Sequence, residues 1–292
     1  MNIQSQAGVD EETDLQKSKL GKELNRFLTR LGIAALLLLL AAAAGFVLSP
    51  YTPNTPDFLD RLSPPTKSHW FGTDQLGRDV ATRILYGGVW SIGLAFLITT
   101  IGAITGTAIG LAAGHFGRAA DVTLMRVTDS FFAFPELIAA VTIAGVLGPS
   151  TTNMVLALVL VGWMKFARLV RSLSVDLVHR DFVVQARLNE LPSGLILWRH
   201  ILPNIGPSLL VLWTNSWSRS ILSISGLSFL GFGVQPPNAE WGAMLLDGKA
   251  YMQTAPHLMI VPGLAILVAV LSINLTGDRL RDLIGSNGLA AD

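Results

Sequence analysis

Residues 181–204 read DFVVQARLNELPSGLILWRHILPN and form the longest polar interruption in the hydrophobic second half of the chain. Apolar residues recur at helical spacing behind Asp181, which can cap a short helix. Pro192 ends that helix and opens a second short helix, which Pro203 is expected to end. Two short amphipathic helices joined at a bend, between two apolar runs, predict a part that contacts another molecule.

The composition is that of a membrane protein with several spans. Of the 292 residues, 51% are hydrophobic and 14% are charged, and the mean hydropathy is positive. The net charge is +1 and the chain has no basic block with interleaved aromatic residues, which argues against a nucleic-acid partner. Because the chain has no cysteine, a disulfide framework and thiolate metal sites are excluded.

The sequence also lacks the usual motifs of an enzyme. Gly21-Lys22 and Gly248-Lys249 have neither the upstream glycine nor the following hydroxyl of a phosphate-binding loop. The five histidines are scattered, without the spacing of a catalytic zinc site. We therefore predict no catalytic residues, no metal site and no cofactor in this chain.

The N-terminus is predicted to be a solvated tail followed by a membrane anchor. Residues 1–26 are polar, and residues 27–48 include an apolar run of about the ~20 residues that a spanning helix needs. A cleaved signal peptide is the competing interpretation. The length of the run and its lysine and arginine flank favour an uncleaved anchor with its N-terminus in the cytoplasm.

Further apolar runs predict an all-α polytopic fold with six membrane spans. Lysine and arginine are concentrated in residues 181–204 and just before them, and charges close the chain in residues 279–292. By the positive-inside rule, both of these segments lie in the cytoplasm. After the anchor, the predicted spans are residues 89–113, 121–147, 153–170, 205–227 and 257–276.

Two segments rich in turn-forming residues are predicted to lie on the outer side. Residues 49–88 open with five prolines and close with Val80 and Ile84 beside Arg83, which predicts an external loop with an interfacial amphipathic helix. Residues 228–242 are full of turn formers and break any continuous span.

The second predicted span has a glycine pattern typical of close helix packing. Gly102, Gly106 and Gly110 lie four residues apart. Small residues at this spacing allow two helix backbones to approach closely in lipid. We therefore expect this span to pack tightly against a neighbouring helix.

Charged residues inside predicted spans indicate a translocation pathway. Arg126, Asp129 and Glu136 lie in the third predicted span, and Arg219 lies in the fifth. Exposing a charge to lipid at mid-membrane costs at least ~2.5 kcal/mol, so these side chains should face protein or a watery cavity. The alternative for Arg126 and Asp129 is that they pair at the membrane interface. Glu136, after Pro135, is the more favoured pathway residue.

Several sequence blocks resemble the permease subunits of binding-protein-dependent ABC importers. Residues 181–204, with Ala186 followed by Arg187 and with Leu202-Pro203 near the end, resemble the coupling loop of that family. The other blocks, which look like the dipeptide, oligopeptide and nickel branch, include Gly72-Thr73-Asp74, Gly77-Arg78-Asp79, Phe166-Ala167-Arg168, Ser228-Phe229-Leu230-Gly231, Glu240-Trp241-Gly242 and Asn274-Leu275.

The resemblance implies a type I ABC importer permease fold with a cytoplasmic coupling-helix loop. Residues 89–278 would form its five-helix core, in a bacterial plasma (inner) membrane, with both termini cytoplasmic. It implies a heterodimer with a second homologous permease subunit, two cytoplasmic ATPase subunits that use ATP and Mg, and an extracytoplasmic solute-binding protein. This chain would form half of the pathway for nickel, a metal chelate or short peptides, without being an enzyme.

The resemblance also implies roles for particular residues. It assigns ATPase coupling to Phe182, Val183, Ala186, Arg187, Asn189, Glu190, Leu191 and Pro203. It assigns binding-protein contact to Asp74, Arg78, Asp79 and Glu240. Glu190 occupies the place where the family has a glycine at the bend, so either Glu190 itself adopts a positive φ or Asn189 does, with the bend displaced by one residue.

A self-sufficient secondary transporter or channel, driven by an ion gradient without an ATPase, is the main alternative. Such a protein would need inverted internal repeats, helices broken near mid-membrane and a substrate site within one chain. No repeat relates residues 89–147 to residues 205–278.

Overall fold

The fold is described by a computed structural model covering residues 51–288, with the side chains of residue 280 and residues 282–288 excluded. The predicted tail 1–26 and the predicted span 27–48 lie outside the described residues. Within them the chain is helical and without a sheet, which confirms the all-α prediction. The α-helices are α1 Val80–His115, α2 Arg118–Phe132, α3 Glu136–Leu147, α4 Thr151–Gly162, α5 Met164–Val178, α6 Asp181–Leu188, α7 Ser193–Ile196, α8 Leu202–Phe229, α9 Trp241–Lys249 and α10 His257–Gly288.

Up to five stretches of the described chain are long and apolar enough to cross a membrane. Four are single stretches, Val80–His115, Thr151–Val178, Ser193–Phe229 and His257–Arg279. The fifth is the pair α2 and α3, which are bent by 83° at the short break between them. These correspond to the last five predicted spans, and the first predicted span lies outside the described residues.

Two predicted elements differ from the structure in their continuity. Residues 80–88 are the first turns of α1 rather than a separate interfacial helix, because Asp79 caps α1 by accepting a hydrogen bond from the Thr82 backbone N–H. The predicted span 121–147 is broken after Phe132, because Pro135 cannot donate a backbone hydrogen bond and disfavours helix in the residue before it.

The glycines of α1 let it lie directly against α5, as the spacing predicted. A Cβ added to Gly106 would lie 2.3 Å from the carbonyl oxygen of Trp163, and one added to Gly110 would lie 2.6 Å from that of Ala167. Gly114 extends the row by another turn, where a Cβ would lie 2.6 Å from Cβ of Ser174. The contact is therefore between backbones and tolerates no side chain on α1.

Helix α1 joins two polar regions at opposite ends of the bundle. We call residues 51–79 and 230–256 the cap and residues 181–204 the central segment. The cap is fastened to the start of α1 by Trp241, whose buried ring packs on Gly88 and whose Nε1 donates to the Ile84 carbonyl oxygen at 2.9 Å. Leu111, near the other end of α1, packs in the apolar cluster that holds the central segment.

Candidate functional site

The central segment is docked onto the bundle through two of its predicted coupling residues. Val183 is fully buried and Ala186 is 4% exposed, and both belong to a cluster with Val170 of α5 and with Ile196 and Ile201. These two side chains therefore fix α6 to its own chain. The predicted cap at Asp181 is wrong by one residue, because Arg180 occupies the N-cap position and Asp181 begins the helix.

The bend after α6 lies at Glu190. Glu190 has φ +56°, whereas Asn189 has φ −81°, so Glu190 itself takes the left-handed conformation and the bend is not displaced. The Leu191 N–H donates to the Ala186 carbonyl oxygen at 3.2 Å, and the Glu190 N–H donates to that of Arg187 at 3.0 Å. This pair of bonds is a Schellman motif, which ends a helix and reverses the chain direction.

Pro203 does not end the second helix, contrary to the sequence prediction. A π-helical turn, Leu197–Ile201, links α7 to α8, so the helix continues past Pro203. The Leu202 N–H donates to the Leu197 carbonyl oxygen across this wide turn. A wider turn accommodates the proline ring, which would otherwise collide with the carbonyl four residues earlier. The central segment is thereby continuous with the spanning helix α8.

The outer surface of the central segment carries large apolar side chains that are exposed. Leu188 is 77% exposed, Trp198 is 72% exposed and Phe182 is 38% exposed. Sequence reasoning identified Phe182 and missed the other two, although Val184 and Leu188 lie four apart and indicate a second apolar face on α6. Among the other predicted coupling residues, Leu191 is half-buried, and the exposed ones are Arg187, Asn189, Glu190 and Pro203.

Three ion pairs join α5 to the bent pair α2 and α3. The bases are spaced three residues apart on α5, so they follow one side of the helix. Glu136 and Asp129 each pair with a base of α5, although both remain exposed, and Asp129 pairs with Arg168 rather than with Arg126. The pairs are Glu136–Lys165 at 3.3 Å, Asp129–Arg168 at 2.5 Å and Asp121–Arg171 at 2.6 Å.

A groove of about 830 Å³ runs between α5 and α8 beside this row of ion pairs. Lys165 and Arg168 line it on the α5 side, and Ser208 and Asn215 line it on the α8 side. The predicted pathway residue Arg219 is exposed on α8, outside the lining of this groove. Sequence reasoning therefore found the charges of the third span, whereas their partners on α5 emerge only from the fold.

The four residues predicted to contact a binding protein are buried in this structure. Asp74, Arg78, Asp79 and Glu240 are each at most 6% exposed, which contradicts direct contact by these side chains. The resemblance had assigned them that contact, although charged side chains can be buried when they are paired. In the cap they instead form ion pairs with one another or accept hydrogen bonds from backbone N–H groups.

Asp74 is the centre of the ion pairs in the cap. Its Oδ2 lies 2.7 Å from Nε of Arg78 and 3.3 Å from Nε of Arg83. An Arg83 nitrogen also donates to the carbonyl oxygen of Pro53 at 2.9 Å, so the network ties the start of the cap to α1. Burial of Asp247, at the edge of this network, raises the pKa of its carboxyl group.

Glu240 fastens α9 to α1. Its Oε1 accepts a hydrogen bond from Oγ of Ser91 at 2.9 Å and from the Gly242 backbone N–H at 3.0 Å, and its Oε2 accepts from the Ala243 N–H at 3.0 Å. This buried carboxylate caps a helix N-terminus, where negative charge is favourable. Among the described residues, no group of three or more histidine or carboxylate side chains is placed to hold a metal ion.

Comparison with known proteins gives relatives of nearly the same extent. The family described as "Binding-protein-dependent transport system inner membrane component" matches residues 106–287. The dipeptide transport system permease protein DppC of Alkalihalophilus pseudofirmus is 39% identical over 250 residues, which cover 86% of this chain and 82% of that protein. The nickel transport system permease protein NikC of Escherichia coli K12 is 40% identical over 250 residues, covering 86% and 90%.

A solved structure has a similar fold. It is an inward-facing crystal form of the MetNI methionine ABC transporter, which matches with a TM-score of 0.54 and 18% sequence identity. The match covers 69% of this chain and 95% of that chain. This likeness shows that the described chain has the fold of a type I ABC importer permease.

Proposed function

Because this chain belongs to the binding-protein-dependent transport system inner membrane components, we propose that it forms half of the translocation pathway of an ATP-driven importer. A second homologous permease subunit supplies the other half as a heterodimer. Two cytoplasmic ATPase subunits hydrolyse ATP with magnesium, and an extracytoplasmic binding protein delivers the solute. This chain contributes no catalytic group and holds no cofactor.

The observation that carries this proposal is the exposed apolar surface of the central segment. Leu188 and Trp198 are large apolar side chains that remain mostly exposed, although Val183 and Ala186 beside them are buried. Large apolar side chains left exposed on an ordered element favour a protein contact. By the positive-inside rule this surface lies in the cytoplasm, together with both termini, where an ATPase can bind it.

The path from that surface to the membrane runs through α5. Helix α6 follows α5 after two residues and packs on it through Val183. The bases of α5 in turn hold the bent pair α2 and α3 through three ion pairs. A displacement of the central segment on ATP binding therefore moves α5 and the bent span together, as a rigid-body step of alternating access.

The solute belongs to one of two classes. Relatives handle dipeptides or nickel by their names, so short peptides and nickel or a metal chelate are the candidates for this chain. A secondary transporter driven by an ion gradient is the competing function. The broken span α2 and α3 is the feature that favours it, since such transporters use interrupted helices.

The proposal is tested by a matched pair of substitutions in the complete transporter. Phe182→Glu places a charge on the exposed surface of the central segment, and Phe58→Glu makes the same change at an exposed phenylalanine of the cap. We expect Phe182→Glu to lower retention of the ATPase on the tagged permease at least about tenfold, since a charge would be desolvated at the contact. Phe58→Glu should retain the ATPase fully.

Uptake by membrane vesicles separates the two functions. ATP-dependent uptake that vanadate stops supports the importer. Uptake by the purified chain alone, driven by an ion gradient and insensitive to vanadate, establishes the secondary transporter. Equal ATPase retention by the two glutamate variants would reject the central segment as the ATPase contact.

A further inference from the structure

The charged side chains that line the groove between α5 and α8 all have the same sign. Among the described residues, its charged lining side chains are Lys165, Arg168 and Arg281, all of them basic. Neutral polar groups are supplied by Ser172, Ser208 and Asn215, and the rest of the lining is apolar. A volume of about 830 Å³ is large enough for a small organic solute.

The two bases on α5 are held in position at the groove wall. Nζ of Lys165 lies 3.3 Å from Glu136, and Arg168 pairs with Asp129 while its guanidinium lies 3.9 Å from the ring centroid of Phe132. Both carboxylates lie outside the groove lining. The two bases therefore line the groove, while the carboxylates that pair with them do not.

Arg281 adds a positive charge that is not compensated in the same way. Its side chain is exposed, and within the described part of the chain no carboxylate pairs with it. Counted over the side chains that the structure describes, three bases against two paired carboxylates give the groove one net positive charge. Low-dielectric walls focus such a field, so the groove attracts anions and repels divalent cations.

We infer that this groove receives the carboxylate, or another anionic group, of the transported solute and disfavours a free divalent cation. The inference rests on the proposed function, in which the solute passes along this chain. It narrows the two candidate solute classes to short peptides and anionic metal chelates. Ser208 and Asn215 supply hydrogen bonds to the same group from the opposite wall.

The natural absence of cysteine allows a direct test of the charge in the groove. In the complete transporter, Ser208→Cys introduces a single thiol into the lining, and Gln253→Cys introduces one at an exposed position of the cap. Each is reacted with an anionic sulfonatoethyl methanethiosulfonate and a cationic trimethylammonioethyl methanethiosulfonate. Rates are divided by those of a free thiol in solution.

We expect the anionic-to-cationic rate ratio at position 208 to exceed that at position 253 at least about fivefold, because a net positive charge attracts the anionic reagent and repels the cationic one. Arg281→Gln should bring the ratio close to the value at position 253, and Arg118→Gln, which removes an exposed arginine outside the lining, should leave it unchanged. If Ser208→Cys impairs assembly, Ser172→Cys reports on the same groove.

Equal ratios at the two positions, or a lower ratio in the groove, would overturn the inference. A raised ratio that Arg281→Gln does not change would overturn the assignment of the net charge to Arg281. These outcomes are independent of the proposed function, because that function is judged by ATPase retention with Phe182→Glu. If either the groove charge or the ATPase contact is disproved, the other can still be measured in the same preparation.

Discussion

The cap and the central segment are both polar, proline-containing interruptions of a hydrophobic chain, but they use their residues in opposite ways. The cap turns charged side chains inward, so that Asp74, Arg78 and Glu240 are buried. The central segment turns only small or branched apolar residues inward and leaves Leu188 and Trp198 exposed.

Both segments expose large apolar side chains, Phe58 and Trp70 in the cap among them, so the difference lies in how each interior is stabilised. The cap satisfies its buried charges with partners in the same chain, so its interior needs no further molecule. The central segment satisfies its backbone through the bend at Glu190, but its outer apolar surface has no cover within the described part of the chain. Substitutions in the cap should therefore cost stability, and substitutions on that surface should cost binding.

The largest expected effect is on the buried charge of the cap. Asp74→Ala leaves Arg78 and Arg83 without their shared carboxylate, and breaking a buried ion pair from one side typically costs ~3–5 kcal/mol. Denaturant unfolding in detergent micelles measures this loss. Asp181→Ala, at an exposed aspartate of the central segment, should change the unfolding free energy by less than ~0.5 kcal/mol. A similar small change for Asp74→Ala would contradict the role given to the cap.

The next effect tests burial within the central segment itself. Ala186→Glu places a charge at a position only 4% exposed and should destabilise the protein by at least ~3 kcal/mol. Leu188→Glu, two residues later but 77% exposed, should leave the unfolding free energy nearly unchanged. Both variants are compared by unfolding in the same micelles. If the two lost equal stability, α6 would not be docked through Ala186.

The parts of this fold that were predictable from sequence are those encoded by neighbouring residues. Spacing of four residues placed Gly102, Gly106 and Gly110 on one side of α1, and the packing followed. Glu190 was one of two candidates for the bend, because a helix end with a reversed chain needs one residue of positive φ. Apolar length alone located most of the spans.

The parts that were not predictable depend on residues distant in sequence. Glu240 can be buried because Ser91, about 150 positions earlier in the sequence, donates a hydrogen bond to its carboxylate. Asp129 was expected to pair, if at all, with nearby Arg126, but the fold brings Arg168 to it from 39 positions away. Local pattern cannot distinguish a solvated loop charge from one that pairs with a residue of another helix, and for the same reason it did not reveal the exposure of Trp198.

A smaller effect, on binding and not on stability, is expected for the exposed tryptophans. Trp198 in the central segment and Trp70 in the cap are 72% and 74% exposed. Trp198→Ala should weaken ATPase retention about tenfold or more, because tryptophans at protein contacts often carry much of the binding energy. Trp70→Ala should leave retention unchanged, and neither variant should alter the unfolding free energy by more than ~0.5 kcal/mol. Equal ATPase retention by the two variants would show that the ATPase does not bind at Trp198.

The smallest effect compares two residues with nearly the same backbone conformation. Leu62 in the cap has φ +55° and Glu190 in the central segment has φ +56°. Glycine removes the left-handed strain of ~1 kcal/mol at either position, but it costs ~0.5–1 kcal/mol of chain entropy. At the exposed Glu190 nothing else is lost, so Glu190→Gly should be neutral or stabilising by up to ~0.5 kcal/mol.

At Leu62 the same change should destabilise the protein, because the half-buried leucine packs against the main apolar cluster and its loss costs ~1–2 kcal/mol. Denaturant midpoints of the two glycine variants measure the contrast. Glu190→Ala is the control, since alanine retains the strain and should gain nothing. A destabilisation of Glu190→Gly as large as that of Leu62→Gly would mean that the Glu190 side chain holds the bend, and that the central segment, like the cap, is stabilised by its charges.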